Sequence, residues 1–453
     1  MGNILKNLGK LNKAISYYQK ALDLQPNYAV AHNNLGNVLL QQGKLEQAGK
    51  HYRQAIQIHP NYADAHYNLA IILLRQNNVA EAVKHLDKTL QLQPDHTEAH
   101  NQKAQLLHQQ GDLDKAIYHY KKCLKLDPYN AAVFHNLGAI FLEQGEPAAA
   151  LKYFLRLLQI APDFDTYYNL GVIYMYLGRS NDAIQYFQEA LKKDPNHFAS
   201  HNNLGSIYLK AEDYKNAAEH YRQALRLQPD NKEIAYILNA IDQKKIPKTA
   251  PKEYIQSLFD QYAAYFDKHL IEILHYKVPE LLYKSIEQEI KINKHSWNIL
   301  DLGCGTGLCG EKFRPLAKKL IGIDLSKKMI EVAKQKNIYD ELHVSDIHQA
   351  LQKQHNLDLI IAGDTFVYIG DLAKTFSGCK NALKKSGLLA FTIEKTSQYP
   401  YELQKSARFS HSKKYIEELA KQNSFKILQC NNIVLRKQRN KSIEGYLYVL
   451  EVV

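Results

Sequence analysis

The chain has 453 residues, of which 45% are hydrophobic, and this length and composition suit two or three folded domains. No apolar run approaches the ~18 to 20 residues that a membrane helix needs, and the N-terminal residues lack the basic and then apolar pattern of a signal peptide. We therefore expect a cytoplasmic protein without a membrane segment. The five cysteines are scattered and form no C-x-x-C pair, so we predict neither a disulfide framework nor a metal site. The net charge of +12 lies mainly after residue 243, where lysines on solvated helix faces explain it more simply than a nucleic-acid patch.

The first half of the chain is a repeat array. Prolines recur every 34 residues, with one interval of 33, at Pro26, Pro60, Pro94, Pro128, Pro162, Pro195 and Pro229. An alanine lies twelve residues before each proline, and glycine or alanine recurs a further twelve residues earlier, at Gly36, Ala70, Ala104, Gly138, Gly171 and Gly205. Small residues at such positions allow two helices to cross closely, beside a larger side chain four residues after each alanine. A fixed period of this size indicates a solenoid of helical hairpins.

This pattern resembles the tetratricopeptide repeat family. The resemblance covers residues 1–243 as a half repeat, six full repeats and a capping helix. It implies an all-α solenoid whose curved groove binds a protein or a peptide.

Side-chain amides recur with the same period, at Asn34, Asn68, Gln102, Asn136, Asn169 and Asn203. A primary amide both donates and accepts hydrogen bonds, so such a ladder can pair with the backbone of an extended peptide whatever its sequence. The ladder resembles the one in the repeats of O-linked N-acetylglucosamine transferase. The alternative is that these amides serve helix packing, and the sequence leaves both interpretations open.

Two prolines and four lysines interrupt the helical pattern over residues 244–253, which we predict to be a linker. The second predicted domain, residues 254–453, begins with apolar residues at helical spacing. The stretch 258–270 resembles the lid helix of small class I methyltransferases, which implies that Tyr262 closes over a cofactor. Phe259 and Phe266 suit a core-facing stripe at least as well.

Residues 301–307, Asp-Leu-Gly-Cys-Gly-Thr-Gly, form a glycine-rich turn between an apolar stretch that suits a buried strand and a helix that begins near Leu308. Alternate glycines permit a sharp turn and a close approach of the backbone to a ligand. A dinucleotide site would carry a glycine at position 308, where this chain has leucine. The pattern is therefore G-x-G-x-G, and it resembles the S-adenosylmethionine (SAM) loop of methyltransferases.

Four aspartates fall at the ends of successive predicted strands: Asp301, Asp324, Asp346 and Asp364. A fifth strand is predicted over 387–393, and the alternation of strands with helices indicates a doubly wound sheet with ligands at the carboxyl ends of its strands. A single aspartate after a strand is usually a turn or capping residue, but four in register favour a site. Carboxylates also suit a ligand with a sulfonium, an ammonium and two ribose hydroxyls.

Residues 254–453 thus resemble a Rossmann-like class I SAM-dependent methyltransferase. The resemblance implies that Asp324 accepts hydrogen bonds from the ribose hydroxyls and that Asp346 accepts one from the adenine amino group. It implies further SAM contacts by Asp301 and by Gly303, Cys304, Gly305, Thr306, Gly307, Leu325, Met329, Ser345 and Ile347.

Three residues are candidates for the catalytic, acceptor-facing side. Asp364 and Tyr368 follow the fourth predicted strand, and His411 lies close after Arg408, which could hold an acidic substrate. Alignment of the nucleophile contributes about 7 to 11 kcal/mol in such reactions, so a base is needed only when the acceptor arrives protonated. Arg408 and His411 would also suit the protein surface.

The arrangement as a whole resembles the bacterial methyltransferases that carry tetratricopeptide repeats. We expect a SAM-dependent methyltransferase whose groove recruits a protein or peptide acceptor, or the carrier of an acceptor. Two alternatives stay open. One is methylation of a small carboxylic acid or metabolite, with the repeats used for assembly, and the other is a non-catalytic scaffold whose second domain only senses SAM.

Overall fold

The computed structural model describes residues 1–243, 246–289, 296–438 and 441–453, so Lys244 and Lys245 of the predicted linker lie outside it. Contacts group the chain into two compact units, Met1–Pro195 and Asn196–Val453. In the described part of the chain, no helix is long and apolar enough to cross a membrane.

The first unit is built from helical hairpins. Each hairpin turn contains a residue at positive φ, which is glycine at 9, 43, 111, 145 and 178 and asparagine at 77. The second helix of each hairpin ends two residues before a proline, because the residue before a proline disfavours the helical conformation. The helices are α1 (Gly2–Asn7), α2 (Leu11–Leu24), α3 (Ala29–Gln41), α4 (Leu45–Ile58), α5 (Ala63–Arg75), α6 (Val79–Leu92), α7 (Thr97–Gln109), α8 (Leu113–Leu126), α9 (Ala131–Glu143), α10 (Pro147–Ile160), α11 (Phe164–Tyr176) and α12 (Ser180–Lys193).

The small residues of the repeat pattern lie where the two helices of a hairpin cross. A Cβ atom built on Gly36 would come within 2.6 Å of the Tyr52 ring, and one built on Gly138 within 2.4 Å of the Phe154 ring. Both aromatic rings are fully buried. The period seen in the sequence therefore follows from the close approach of paired helices, as predicted.

The second unit begins with three more repeat helices, α13 (Phe198–Lys210), α14 (Tyr214–Leu227) and α15 (Lys232–Asp242). A mixed sheet with flanking helices follows. The predicted combination of an all-α solenoid with a Rossmann-like α/β domain is confirmed. The flanking helices are α16 (Lys252–Tyr262), α17 (Phe266–Lys268), α18 (Val278–Glu289), α19 (Leu308–Phe313), α20 (Lys327–Gln335), α21 (Ile347–Leu351), α22 (Ala373–Ala382) and α23 (Lys413–Gln422), with a π-helical turn over His269–Ile273.

The described strands form one nine-stranded sheet. Its main path runs β3-β2-β1-β4-β5-β7-β6, and β9 pairs antiparallel with both β5 and β8. Strands β1 to β5 are parallel, so their carboxyl ends meet at one edge. The strands are β1 (Trp297–Leu302), β2 (Ala317–Asp324), β3 (Glu341–Val344), β4 (Leu357–Ala362), β5 (Leu383–Lys395), β6 (Tyr401–Leu403), β7 (Phe409–His411), β8 (Phe425–Gln438) and β9 (Lys441–Val452).

Alternate residues of the central strands pack on opposite faces of the sheet. In β1, Leu300 and Leu302 join the apolar cluster on one face, and Ile299 joins the cluster on the other. Both faces are therefore covered, as expected for a doubly wound sheet. The five strands predicted from the sequence are present, and the structure adds β6 to β9.

Candidate active site

The glycine loop between β1 and α19 adopts a conformation that side chains resist. Gly303, Gly305 and Gly307 have φ values of +68°, +53° and +96°. A Cβ atom on Gly303 would lie 2.5 Å from Thr365 Oγ1, whose hydroxyl donates a 2.7 Å hydrogen bond to the Leu302 carbonyl. The loop thus needs glycine at 303 both for its φ angle and for the approach of Thr365.

Asp324 joins the ends of β1 and β2. Its Oδ2 accepts a 2.9 Å hydrogen bond from the Gly305 N–H, and its Oδ1 accepts a 2.8 Å bond from the Ser326 N–H. Burial raises the pKa of this carboxyl group, against the effect of these donors. Each oxygen keeps a lone pair, so Asp324 can still accept the two ribose hydroxyls predicted for it.

Asp301 and Asp346 also have intramolecular partners. Asp301 is buried, which raises its pKa to about 7, and it accepts a 2.7 Å bond from the Tyr339 hydroxyl. Asp346 caps α21 by accepting from the His348 N–H at 2.9 Å, and it forms a 3.2 Å ion pair with Lys252. Both aspartates therefore shape the loops of the site, and their contacts with SAM stay predictions.

The other predicted cofactor residues gather at the same edge of the sheet. Cys304 and Thr306 are buried in the glycine loop, Met329 is fully buried in α20, and Ile347 is buried at the start of α21. Leu325 and Ser345 are half-buried beside Asp324, whose carbonyl accepts a 2.9 Å bond from the Ser345 N–H. The structure thus brings these residues together, and their contacts with SAM stay predictions.

Residues 252–273, called the lid below, make polar contacts with this edge. Asp260 accepts hydrogen bonds from the Ser326 hydroxyl and, at 3.4 Å, from the Lys328 N–H. Asp267 accepts one from the Thr306 hydroxyl and pairs with Lys336 at 2.7 Å. The lid is therefore fastened to the loops after β1 and β2.

The aromatic residues of the lid gather beside the glycine loop, and the contact of Tyr262 with a cofactor stays a prediction. Phe266, for which the sequence allowed a core position, lies 3.7 Å from a Cβ atom built on Gly305. Tyr262 packs edge-on against Phe266, with ring centroids 4.9 Å apart, and its hydroxyl contacts His269. Phe266 is thus the ring next to the glycine loop, and Tyr262 supports it.

Four charged side chains form a buried network after β4. Asp364 Oδ2 accepts from Arg408 Nη2 and from Arg436 Nη1, both at 3.1 Å. Glu394 Oε1 pairs with Arg408 Nε at 2.8 Å and with Arg436 Nη2 at 2.6 Å. Burial by itself would raise the pKa of Glu394, but the two guanidinium groups hold it below its usual value. The negative charges of the two carboxylates thus offset the positive charges of the two guanidinium groups.

Asp364 has two unusual features within this network. Its backbone lies in the left-handed region at φ +58°, which is strained for a residue other than glycine. Its second oxygen, Oδ1, is buried and has no hydrogen-bond partner among the described residues. Because buried polar atoms are nearly always satisfied, this oxygen is suited to a donor that belongs to a ligand.

Tyr368 and His411, the other two acceptor-side candidates, differ in their surroundings. The Arg408 guanidinium lies 5.3 Å from the centre of the Tyr368 ring, so Tyr368 belongs with the network. His411 is fully buried, and its Nε2 lies 2.8 Å from the Ile369 carbonyl and 3.1 Å from that of Gly370. Burial lowers the pKa of His411 to about 4. His411 therefore donates to backbone that follows Tyr368, and its catalytic role stays a prediction.

The sequence reasoning missed Arg436, which is only 5% exposed. Arg436 lies in the basic part of the chain after residue 243, and the sequence analysis ascribed the charge of that part to lysines on solvated helix faces. The apolar neighbours Val434 and Leu435 were the available signal, because a charge inside a strand-like apolar segment usually has a buried partner. Arg408, read as a possible surface residue, is also buried against Asp364 and Glu394.

The six ladder amides are all partly exposed. Asn68 Nδ2 donates to Asn33 Oδ1 of the preceding repeat at 2.9 Å, and Asn136 hydrogen bonds the Tyr120 hydroxyl. Asn169 Nδ2 donates to the Asp165 carbonyl of its own helix at 2.8 Å. These three amides thus contribute to packing while retaining further hydrogen-bonding capacity, and peptide binding stays a prediction.

Protein-family profiles match both parts of the chain. Residues 293–444 match a profile described as a methyltransferase domain. Profiles described as tetratricopeptide or TPR repeats match residues 2–43, 39–106, 104–145, 129–196 and 168–232. Together the repeat profiles cover the helical array.

Curated relatives match the second part of the chain. This part is 31% identical over 178 residues to a malonyl-[acyl-carrier protein] O-methyltransferase of Priestia megaterium. The matched stretch covers 36% of this chain and 61% of the relative. The same part is 29% identical over 114 residues to a ubiquinone biosynthesis O-methyltransferase of Coxiella burnetii, covering 24% and 47%. The chain therefore spans only about half to three fifths of these relatives. A solved SAM-dependent methyltransferase from Methanosarcina mazei is 14% identical, covers 37% of this chain and 97% of its own, and has a TM-score of 0.32.

Proposed function

Because the chain joins tetratricopeptide repeats to a SAM-dependent methyltransferase domain, we propose that it methylates a nucleophile on a polypeptide, or on a group that a polypeptide carries, after recruitment by the repeats. SAM, the cofactor, supplies an activated methyl group on a sulfonium. The residues of the chain have to hold this cofactor, exclude water and align the acceptor.

The residues at the edge of the sheet fit SAM. The loop at 303–307 has no side chain at three positions where a ligand would approach the backbone. Asp324 offers free lone pairs at the end of β2, where ribose hydroxyls are bound in sheets of this type. The lid, held by Asp260 and Asp267, would keep water from the transferred methyl group.

One observation carries the proposal on the acceptor side, the buried and unpartnered Oδ1 of Asp364. An acceptor hydroxyl or amine would donate its hydrogen to this oxygen and direct a lone pair at the methyl carbon. SAM would supply the methyl group and leave as a neutral thioether with the electrons of the broken carbon–sulfur bond. The proton of the acceptor would pass to Oδ1 as the new bond forms. Arg408 and Arg436 fix the carboxylate by holding its other oxygen.

A carboxylate acceptor is the second candidate, because relatives are named as malonyl-[acyl-carrier protein] O-methyltransferases. Such an acceptor would need a free cationic partner. Both arginines already form ion pairs with Asp364 and Glu394, and the acceptor would face the Asp364 carboxylate. Arg408 Nε makes no hydrogen bond to the described residues, but its charge is already offset by these two carboxylates. The local charges therefore favour a hydroxyl or an amine.

SAM binding is the first test. Titration with SAM should quench or enhance the fluorescence of Trp297, the only tryptophan, which lies in β1, and calorimetry should give a matching Kd. Absence of binding in both measurements would refute the proposed enzyme.

The chemistry of the product separates the two acceptor classes. After incubation with methyl-labelled SAM and a cell lysate, labelled material is treated with alkali. Methyl esters release volatile methanol, whereas methylated hydroxyls and amines retain the label. We expect alkali-stable label, and alkali-labile label would establish a carboxylate acceptor.

Recruitment by the groove is tested with alanine at Asn136, Asn169 and Asn203. We expect labelling of a polypeptide acceptor to fall while SAM affinity is unchanged. The control variant replaces three exposed amides outside the ladder: Gln110, Gln144 and Asn181. Equal labelling by both variants would remove the groove from the proposal.

A further inference from the structure

The last repeat helix, α15, is built into the methyltransferase part of the second unit. Its residues Tyr236 and Ile237 belong to the same apolar cluster as Tyr368, Ala407 and Phe409. Tyr236 is only 2% exposed. A helix that merely ended a solenoid would present a polar outer face instead.

Tyr236 makes one directed contact inside this cluster. Its hydroxyl donates a 2.9 Å hydrogen bond to the carbonyl of Ala407, and both groups are buried. Its ring lies 5.0 Å from that of Tyr254 and 6.4 Å from that of Phe409, measured between centroids. The ring and the hydroxyl are therefore both fixed.

Ala407 directly precedes Arg408 in the turn between β6 and β7. It has a φ of +62°, a left-handed conformation that alanine adopts only when its surroundings impose it. Its N–H donates to the Gln404 carbonyl, and the Gln404 N–H donates to the Arg408 carbonyl, both at 2.8 Å. The turn between β6 and β7 is thereby closed on one side by its own backbone and on the other by Tyr236.

The segment just before α16 supports the neighbouring part of the network. The Ala250 N–H donates to the Tyr368 carbonyl at 2.9 Å, and the Lys248 carbonyl accepts from the Gly370 N–H at 2.9 Å. The described end of the predicted linker is thus paired with the backbone that follows Asp364. The methyltransferase profile begins at residue 293. Two residues that precede it, Tyr236 and Ala250, therefore bind backbone carbonyls beside the buried network of Asp364, Glu394, Arg408 and Arg436.

We propose that Tyr236 of the repeat array is a positioning residue for Arg408. Through the Ala407 carbonyl it keeps the β6–β7 turn in the strained conformation that directs the guanidinium at Asp364 and Glu394. The catalytic part of the chain is then complete only with the last repeat helix. This inference rests on the proposed function, in which Asp364 faces the acceptor.

The test uses the full-length chain labelled with ¹⁵N-arginine and the Nε–H resonance of Arg408 in NMR spectra, identified by its loss in R408K. In Y236F the ring remains and only the hydroxyl is lost. We expect this resonance to shift and its hydrogen exchange with solvent to become about fivefold faster, as for loss of one buried hydrogen bond. The matched control is Y221F, because Tyr221 is equally buried in α14 and its hydroxyl bonds Ser206 instead.

Two outcomes would overturn the inference. In one, the Arg408 resonance is the same in Y236F and in the wild type. In the other, Y221F changes it as much as Y236F, which would indicate general loosening of the cluster. The proposed function fails separately, if the wild type does not bind SAM while the Arg408 resonance still responds to Y236F.

Discussion

Substitution of Gly303 by alanine should damage the glycine loop through two separable effects. The first is backbone strain, because alanine at φ +68° costs about 1 to 2 kcal/mol. The second is a clash, since the new Cβ atom would lie 2.5 Å from Thr365 Oγ1 and 2.6 Å from its Cγ2. Overpacking of this kind costs about 1 to 3 kcal/mol. We therefore expect G303A to lower the free energy of unfolding of the second unit by about 2 to 5 kcal/mol.

Gly305 provides the matched control within the same loop. Its φ of +53° imposes the same kind of strain, but the nearest atom to a new Cβ is a Phe266 carbon at 3.7 Å, an ordinary contact. G305A should therefore lose only about 1 to 2 kcal/mol. The assay is urea unfolding without SAM, followed by the fluorescence of Trp297.

A double variant isolates the clash. T365A removes both crowding atoms, at the cost of the hydrogen bond to the Leu302 carbonyl. G303A combined with T365A should lose less stability than the sum of the single variants, by about 1 to 3 kcal/mol. If G303A is no more destabilising than G305A, or if the double variant is additive, the close approach of Thr365 does not explain the requirement for glycine at 303.

Three further predictions concern the cofactor, the lid and the repeats. D324N should weaken SAM binding about 10- to 100-fold in calorimetry, because it removes a charged acceptor of the ribose hydroxyls. D267A, which loses the lid contact with Thr306, should speed SAM dissociation about fivefold in stopped-flow fluorescence. Burial lowers the pKa of His100 and of its neighbour His119, the latter to about 4, below the value of 6.5 expected when unfolded. The unfolded chain then binds more protons between these values, so the thermal stability of the first unit should fall as the pH drops from about 6.5 towards 4. The variant H100F/H119Y, with the residue types found one repeat later, should reduce that dependence.

The fold was largely predictable because its signals are local and repeated. The period of 34 residues fixes each helix pair, and β1, β2, β4 and β5 contain apolar runs that are buried on both faces of the sheet. Strand β8 escaped prediction for a physical reason. Among the described residues β8 pairs with β9 alone, and because most of its side chains are exposed or half-buried, it has no continuous buried apolar run.

Only part of the candidate site was predictable from the sequence. The predictable residues are those whose partners lie nearby in the chain. The glycine loop and Asp324 lie in short motifs whose residues contact one another across fewer than about 25 positions. The buried network after β4 joins Asp364 to Arg408 and Arg436, which lie 44 and 72 residues later in the chain. No local pattern marks such partners, and Ala407 gives no sequence signal of its left-handed conformation.

The charge balance of this network bears on catalysis. Methyl transfer removes the positive charge of the sulfonium, so a lone carboxylate nearby would stabilise the ground state more than the transition state and slow the reaction. Arg408 and Arg436 offset the charges of Asp364 and Glu394, which leaves the network neutral overall. In the function proposed above, Oδ1 of Asp364 would then act as a directed acceptor for the proton of the nucleophile, with little net field opposing the loss of charge. A neutral network with one free oxygen is therefore better suited to a protonated acceptor than either an isolated aspartate or a free arginine would be.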